Sequence, residues 1–172
     1  DVGPLPQIDL LAAALGLIPS EIGFENHKPV SSICSGTGFA FIPIVSRAAI
    51  LKARPHLAHW PAAFQQEKLL GAYLYTRQCE HMSSSFHARM FAPDLGVSED
   101  PATGSAAICF AEVIRKFDDL PDGSHRRLIE QGFEIERPSF VSLVLQVEGQ
   151  KLSGIRVGGH AVRVTEGTLL LS

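Results

Sequence analysis

Apolar residues at Ile8, Leu11, Ala12 and Leu15 recur at helical spacing and predict a short helix, which Gly16 and then Pro19 bring to an end. The DVGPLP stretch before it reads as a connection leaving something upstream. Two runs rich in β-branched and aromatic residues follow, Val30–Cys34 and Phe39–Val45, joined at Gly36-Thr37-Gly38, and predict a hairpin or a kinked strand pair. Ser46–Ala53 and Leu57–Gln66 read as two short outer helices divided by Pro55, with Ser46 as the first N-cap. Leu69–Thr76 and Phe86–Phe91 are strand patterns separated by the polar loop QCEHMSSS.

The pattern changes at Thr103–Phe117. Ala106, Ala107, Ile108, Phe110, Ala111, Val113 and Ile114 leave almost no polar face before Arg115, which predicts a helix enclosed by protein on all sides. From Leu128 to Ser172 the chain is strand after strand (LIEQGF, SFVSLVLQVE, KLSGIRVG, HAVRVTE and TLLLS), punctuated by glycines. One enclosed helix followed by an antiparallel succession of strands predicts an α+β lobe with strands wrapped around a helix.

Composition narrows the function classes. At 172 residues the chain suffices for one domain or one large lobe of a two-lobed protein. With 15 Lys plus Arg against 18 Asp plus Glu, the net charge of −3 supplies no basic footprint for nucleic acid. No apolar run approaches the roughly 18 to 20 residues that span a bilayer, so no membrane partner is expected. Cys34, Cys79 and Cys109 are widely spaced without a CxxC pair, which suits reduced thiols in a cytoplasmic protein. The seven histidines are scattered; they read as lone surface residues, and no metal is expected. GxGxxG and GxxxxGK are both missing, so nucleotide cofactors are not expected either.

The chemistry concentrates in RMFAPDLGVSEDPATGSAA, residues 89–107, which runs from a strand through a loop into the enclosed helix. Asp100-Pro101 is good helix-entry chemistry, and Thr103, Gly104, Ser105, Ala106 and Ala107 are all small. Small side chains at a helix N-terminus let an anion approach the unpaired amides, where the helix dipole also favours negative charge. Asp100 at the same rim supplies a fixed carboxylate for a substrate amine, and Ser105 a hydroxyl beside the amides. The plainer reading is that Asp-Pro only caps the helix and the small residues only pack closely against a strand.

R-M-F-A-P followed by G-V-S-E-D-P-A-T-G-S-A resembles the signature of the phenazine-biosynthesis-like PhzF family. Pro29-Val30-Ser31-Ser32 with Gly36, Gln131-Gly132 with Arg137-Pro138-Ser139, and the ending GGHAVRVTEGTLLL are similar to further family segments, so the resemblance covers nearly the whole chain. It implies a diaminopimelate-epimerase-like fold of two pseudo-symmetric lobes, of which residues 1–172 would be the C-terminal one: a curved, barrel-like sheet around a central helix near residues 103–117. It further implies a cofactor-independent isomerase with its site between the lobes. Asp100 and Ser105 would take part in catalysis, while Asp100, Thr103, Gly104 and Ser105 would bind a small carboxylate/amine substrate. The acid/base Glu and an assisting His would come from the N-terminal lobe, which is absent here, so the chain alone would be inactive.

Partners expected on this basis are the substrate, the N-terminal lobe and a second copy in a homodimer. Two other readings stand beside the isomerase: a catalytically incomplete fragment or small-molecule-binding module, and a racemase with an unfamiliar base. One departure is Glu136, where the family usually has Gly. Either the turn differs there, or the Gly position never needed a positive φ. Related enzymes on the fold place a cysteine at the helix entry, and this motif has none, which argues against thiolate chemistry.

Overall fold

In the computed structural model, residues 2–65 and 69–170 are described. Nine strands among them form one sheet: β1 (Val2–Gly3), β2 (Val30–Cys34), β3 (Thr37–Pro43), β4 (Leu69–Thr76), β5 (Phe86–Ala92), β6 (Val97–Asp100), β7 (Gly123–Gln131), β8 (Ser139–Glu148) and β9 (Lys151–Gly158). Their order is β1-β2-β3-β4-β5-β7-β8-β9, with β6 added to β5. The helices are α1 (Ile8–Leu15), α2 (Arg47–Lys52), α3 (Trp60–Phe64) and α4 (Gly104–Asp118).

The α+β class expected from the sequence is present, with two differences in the sheet. It is mixed, since β3 runs parallel to β4 and β5 parallel to β7. It is also open, ending at β1 and β9, so the barrel-like closure expected from the resemblance is not found.

Side-chain alternation explains why some strands read as unbroken apolar runs. In β3, Phe39 and Phe41 enter one core with α4, while Ala40 and Ile42 enter a second core with α1, α2 and α3. Tyr73 and Tyr75 of β4 face the first core, and Ala72 and Leu74 the second. Strands covered on both faces need apolar side chains at every position. β8 is covered on one face and alternates: Val141, Leu143, Leu145 and Val147 are buried, the residues between them half-buried.

α4 packs on β2, β3, β8 and β9. Its Phe110 lies among four aromatic rings, with centroids 5.4 Å from Phe41, 5.6 Å from Tyr73, 4.6 Å from Tyr75 and 5.0 Å from Phe86. Offset and edge-on ring contacts of this kind fix orientation as well as burying area, so they set where the helix begins.

Several local expectations change. The second outer helix is shorter than Leu57–Gln66, and Gln66 lies outside the described residues. β6, unseen in the sequence pattern, is four residues long. Residues 159–170 form no strand, so HAVRVTE and TLLLS are not strands over that span; Leu171 and Ser172 lie outside the described residues. Val162, Val164, Leu169 and Leu170 are all more than four-fifths exposed. Among the described residues no helix is long and apolar enough to cross a membrane.

Candidate active site at the entry to the buried helix

The 89–107 segment is held by two clamps. The first is Arg89 of β5, 2 % exposed. Its Nε and Nη2 donate to Glu99 Oε1 at 2.9 Å and Oε2 at 2.7 Å, a two-pronged pairing that fixes β6 against β5. Its Nη1 donates to the carbonyls of Ile50, Leu51 and Ala53, satisfying the end of α2. The guanidinium also lies 4.8 Å from the Phe91 ring centroid. Glu99 is thereby pinned one residue before Asp100.

The second clamp is Gln131 at the end of β7. Its Nε2 donates to the Asp100 carbonyl at 2.7 Å and to Thr103 Oγ1 at 2.9 Å, and its Oε1 accepts from the Thr103 amide at 3.3 Å and the Tyr73 hydroxyl at 3.4 Å. The Thr103 hydroxyl in turn donates to Asp100 Oδ2 at 2.6 Å. Gly132 makes the close approach possible. At φ +81° a Cβ there would lie 2.4 Å from the Arg137 carbonyl and 2.8 Å from that of Pro101.

The sequence-predicted residues fall together. Thr103 is the N-cap residue of α4 but makes no side-chain capping bond: its oxygen accepts from Gln131 Nε2 and its proton goes to Asp100. The first helical hydrogen bond runs from Ala107 N to Thr103 O at 3.0 Å. Among the described residues the amides of Gly104, Ser105 and Ala106 therefore have no acceptor, and a Cβ on Gly104 would meet nothing within 4 Å. Ser105 is exposed, Asp100 is half-buried, and Asp100 Oδ1 has no partner among the described residues. This arrangement offers a carboxylate oxygen and three amide donors on one rim, the complement of a ligand with a cationic and an anionic end.

A buried charged network supports the same segment from below. His87 of β5 places Nδ1 2.8 Å from Glu130 Oε1 and Nε2 2.7 Å from Glu134 Oε1. Both contacts are hydrogen bonds only when both ring nitrogens carry protons, so the geometry calls for an imidazolium. Burial alone would lower the His87 pKa; the hydrogen bonds and charges of Glu134 and Glu130 outweigh it and raise it above 6.5. Burial opposes ionisation of Glu130 and Glu134 too. Backbone amides with His87 for the former, and His87 for the latter, hold both below 4.5. Glu134 Oε2 lies 3.8 Å from Arg89 Nε, linking the network to the first clamp.

His87 is thus buried, as is His27 between Tyr75 and Asp118, so two of the histidines are not the surface residues expected from their scatter. Among the described residues no group of three or more His, Cys, Asp and Glu is arranged to hold a metal. Burial pushes the Cys109 and Cys79 thiols up to about 11, which leaves little thiolate at neutral pH. Glu136 sits at φ +57°, in the left-handed region that a Gly enters without strain, and here a Glu bears it.

The chain is thus an α+β fold with a carboxylate oxygen and three unengaged amides gathered at the entry to α4. The family model of phenazine biosynthesis-like proteins matches residues 6–167. The chain belongs to that family. An uncharacterized isomerase of Mesorhizobium japonicum is 42% identical over 164 residues, covering 94% of this chain and 54% of the relative. The trans-2,3-dihydro-3-hydroxyanthranilate isomerase of Pseudomonas aeruginosa is 30% identical over 164 residues, 94% of this chain and 52% of that protein. A Bacillus anthracis phenazine biosynthesis protein of the PhzF family superposes with a TM-score of 0.84 at 21% identity, covering 99% of this chain and 58% of its own. The chain spans about half the length of the curated relatives it matches.

Proposed function

We propose that this chain is the C-terminal lobe of a cofactor-independent isomerase acting on a small cyclic amino acid of the dihydro-hydroxyanthranilate class, in a cleft closed by an N-terminal lobe. The observation that carries the reading is the pairing of Asp100 Oδ1 with the unengaged first-turn amides of α4, on the residues of the EDPATGSA motif. The name of the Pseudomonas relative describes a ring with an amine on the carbon next to the one bearing the carboxylate. Such a substrate carries its two charged groups side by side, as this rim requires.

In this reading Asp100 holds the amine and the Gly104, Ser105 and Ala106 amides hold the carboxylate, with the Ser105 hydroxyl beside them. A base on the N-terminal lobe removes a C–H proton, and the electron pair spreads into the conjugated carboxylate. The first-turn amides then face growing negative charge, where preorganised donors stabilise the transition state most. Return of the proton to another carbon shifts the double bond and completes the isomerisation. The packing of α4 against β2 and β3 on one side of the sheet order and β8 and β9 on the other supports a sheet curled around a central helix.

The test is turnover of trans-2,3-dihydro-3-hydroxyanthranilate by the two-lobed protein, with a metal chelator present and no added cofactor. An isomer of unchanged mass is expected. Tight binding without an isomer would instead favour a binding module, and no binding at all would exclude this substrate class.

A further inference from the structure

We propose that Gln131 is a positioning residue that sets the amine-binding state of Asp100 through the Thr103 hydroxyl; the inference rests on the proposed function above. Gln131 is fully buried, and the identity of the groups around it fixes which way its amide points. The Thr103 backbone amide can only donate, so the atom 3.3 Å from it is the acceptor Oε1. The Asp100 backbone carbonyl can only accept, so the atom 2.7 Å from it is the donor Nε2. A flipped amide would set donor against donor and acceptor against acceptor.

Direction then passes along the chain of bonds. Nε2 also donates to Thr103 Oγ1 at 2.9 Å, which occupies that oxygen as an acceptor. The single hydroxyl proton is left to go to Asp100 Oδ2 at 2.6 Å. Tyr73 stays a donor to Oε1, since burial, together with the charge of Asp100, pushes its phenol above the ordinary range.

Two consequences follow for the rim. One oxygen of Asp100 is held as an acceptor and the other stays open toward a ligand amine. Thr103, the residue placed to cap α4, has its hydroxyl turned away, and the first-turn amides are left for the ligand carboxylate. A single buried amide thereby keeps both halves of the cradle available.

Replacing Gln131 by Glu removes both donors while keeping the shape. The Thr103 hydroxyl is then drawn toward the new carboxylate, and Asp100 is released. The experiment measures, by calorimetry on the two-lobed protein, the affinity for 2-aminocyclohexanecarboxylate and for cyclohexanecarboxylate, which lacks the amine. The unaltered protein is expected to prefer the amino acid by about tenfold or more, the size of a charge-assisted hydrogen bond.

Gln131→Glu and Thr103→Val should each bring that preference close to one while affinity for the amine-free acid stays within about threefold. Thr103→Ser should restore the preference, and the double variant should lose no more than either single one. A purely structural role would weaken both ligands together and leave their ratio intact, which would overturn the proposal. Should Gln131→Glu not fold, the isosteric Thr103→Val and its Ser counterpart read the same connection. If the unaltered protein shows no preference for the amine, the functional reading fails and this inference with it. If the preference exists and survives in Thr103→Val, only this inference fails.

Discussion

Replacing Arg89 with methionine is expected to lower folding stability by about 3–5 kcal/mol, because it strands buried charges. Glu99 and Glu134 are buried beside it, and the carbonyls of Ile50, Leu51 and Ala53 lose their donor in the same step. Against a usual total of about 5–15 kcal/mol, such a loss brings the variant close to unfolding at ordinary temperature. Lysine will not substitute, since one ammonium cannot make the paired contact to Glu99 and reach the α2 carbonyls as well.

Urea denaturation of both proteins across pH checks the connection to His87. The raised His87 pKa contributes stability that is fully present below 6.5 and is lost as pH rises through its folded value. The lowered Glu130 and Glu134 pKa values contribute stability that is present above 4.5 and is lost as pH falls through theirs. The unaltered chain should therefore be most stable between these limits and weaken on both sides. An Arg89→Met unfolding free energy within about 0.5 kcal/mol of the unaltered chain's would show that the clamp carries no weight.

Asp100→Asn is expected to reduce kcat/KM for the proposed isomerisation about 10- to 100-fold while leaving the fold intact. Asparagine keeps an acceptor for the Thr103 hydroxyl but loses the charge that meets a substrate ammonium, a contact of about 1.5–3 kcal/mol. At about 1.4 kcal/mol per factor of ten, that range gives the stated loss. Circular dichroism and the urea midpoint should change little, because the Asp100 carboxylate is half-buried and its bond from the Thr103 hydroxyl is retained. Unchanged turnover on the true substrate would remove Asp100 from the site.

The placement of residues 100–105 at the helix entry was legible because the motif is contiguous: a carboxylate, a proline and small residues at a helix start can be read in order. The residues that hold the motif in place were not legible in the same way. Arg89 reaches Glu99 across adjacent strands, Gln131 reaches Asp100 from β7, and His87 reaches Glu130 from a neighbour 43 positions away. Such pairs follow from strand order, and nothing local distinguishes the parallel neighbours β5 and β7 from an antiparallel pair.

Helix α4 was predicted to within a residue at each end, but not its enclosure on all sides: Ser105, Ile108 and Lys116 are exposed, because its polar residues gather along one stripe. The ending HAVRVTE alternates like a strand, yet alternation specifies a strand only where an edge is available to pair with it. Among the described residues no edge pairs with 159–170, and its valines stand in solvent.

The most direct test of the helix-entry cradle is nitrogen-resolved NMR of the two-lobed protein titrated with 2-aminocyclohexanecarboxylate, following the amides of Gly104, Ser105 and Ala106. All three are expected to move downfield together and saturate on one binding curve, as amides do on donating to a carboxylate. Binding that saturates while these three signals stay in place would contradict the cradle.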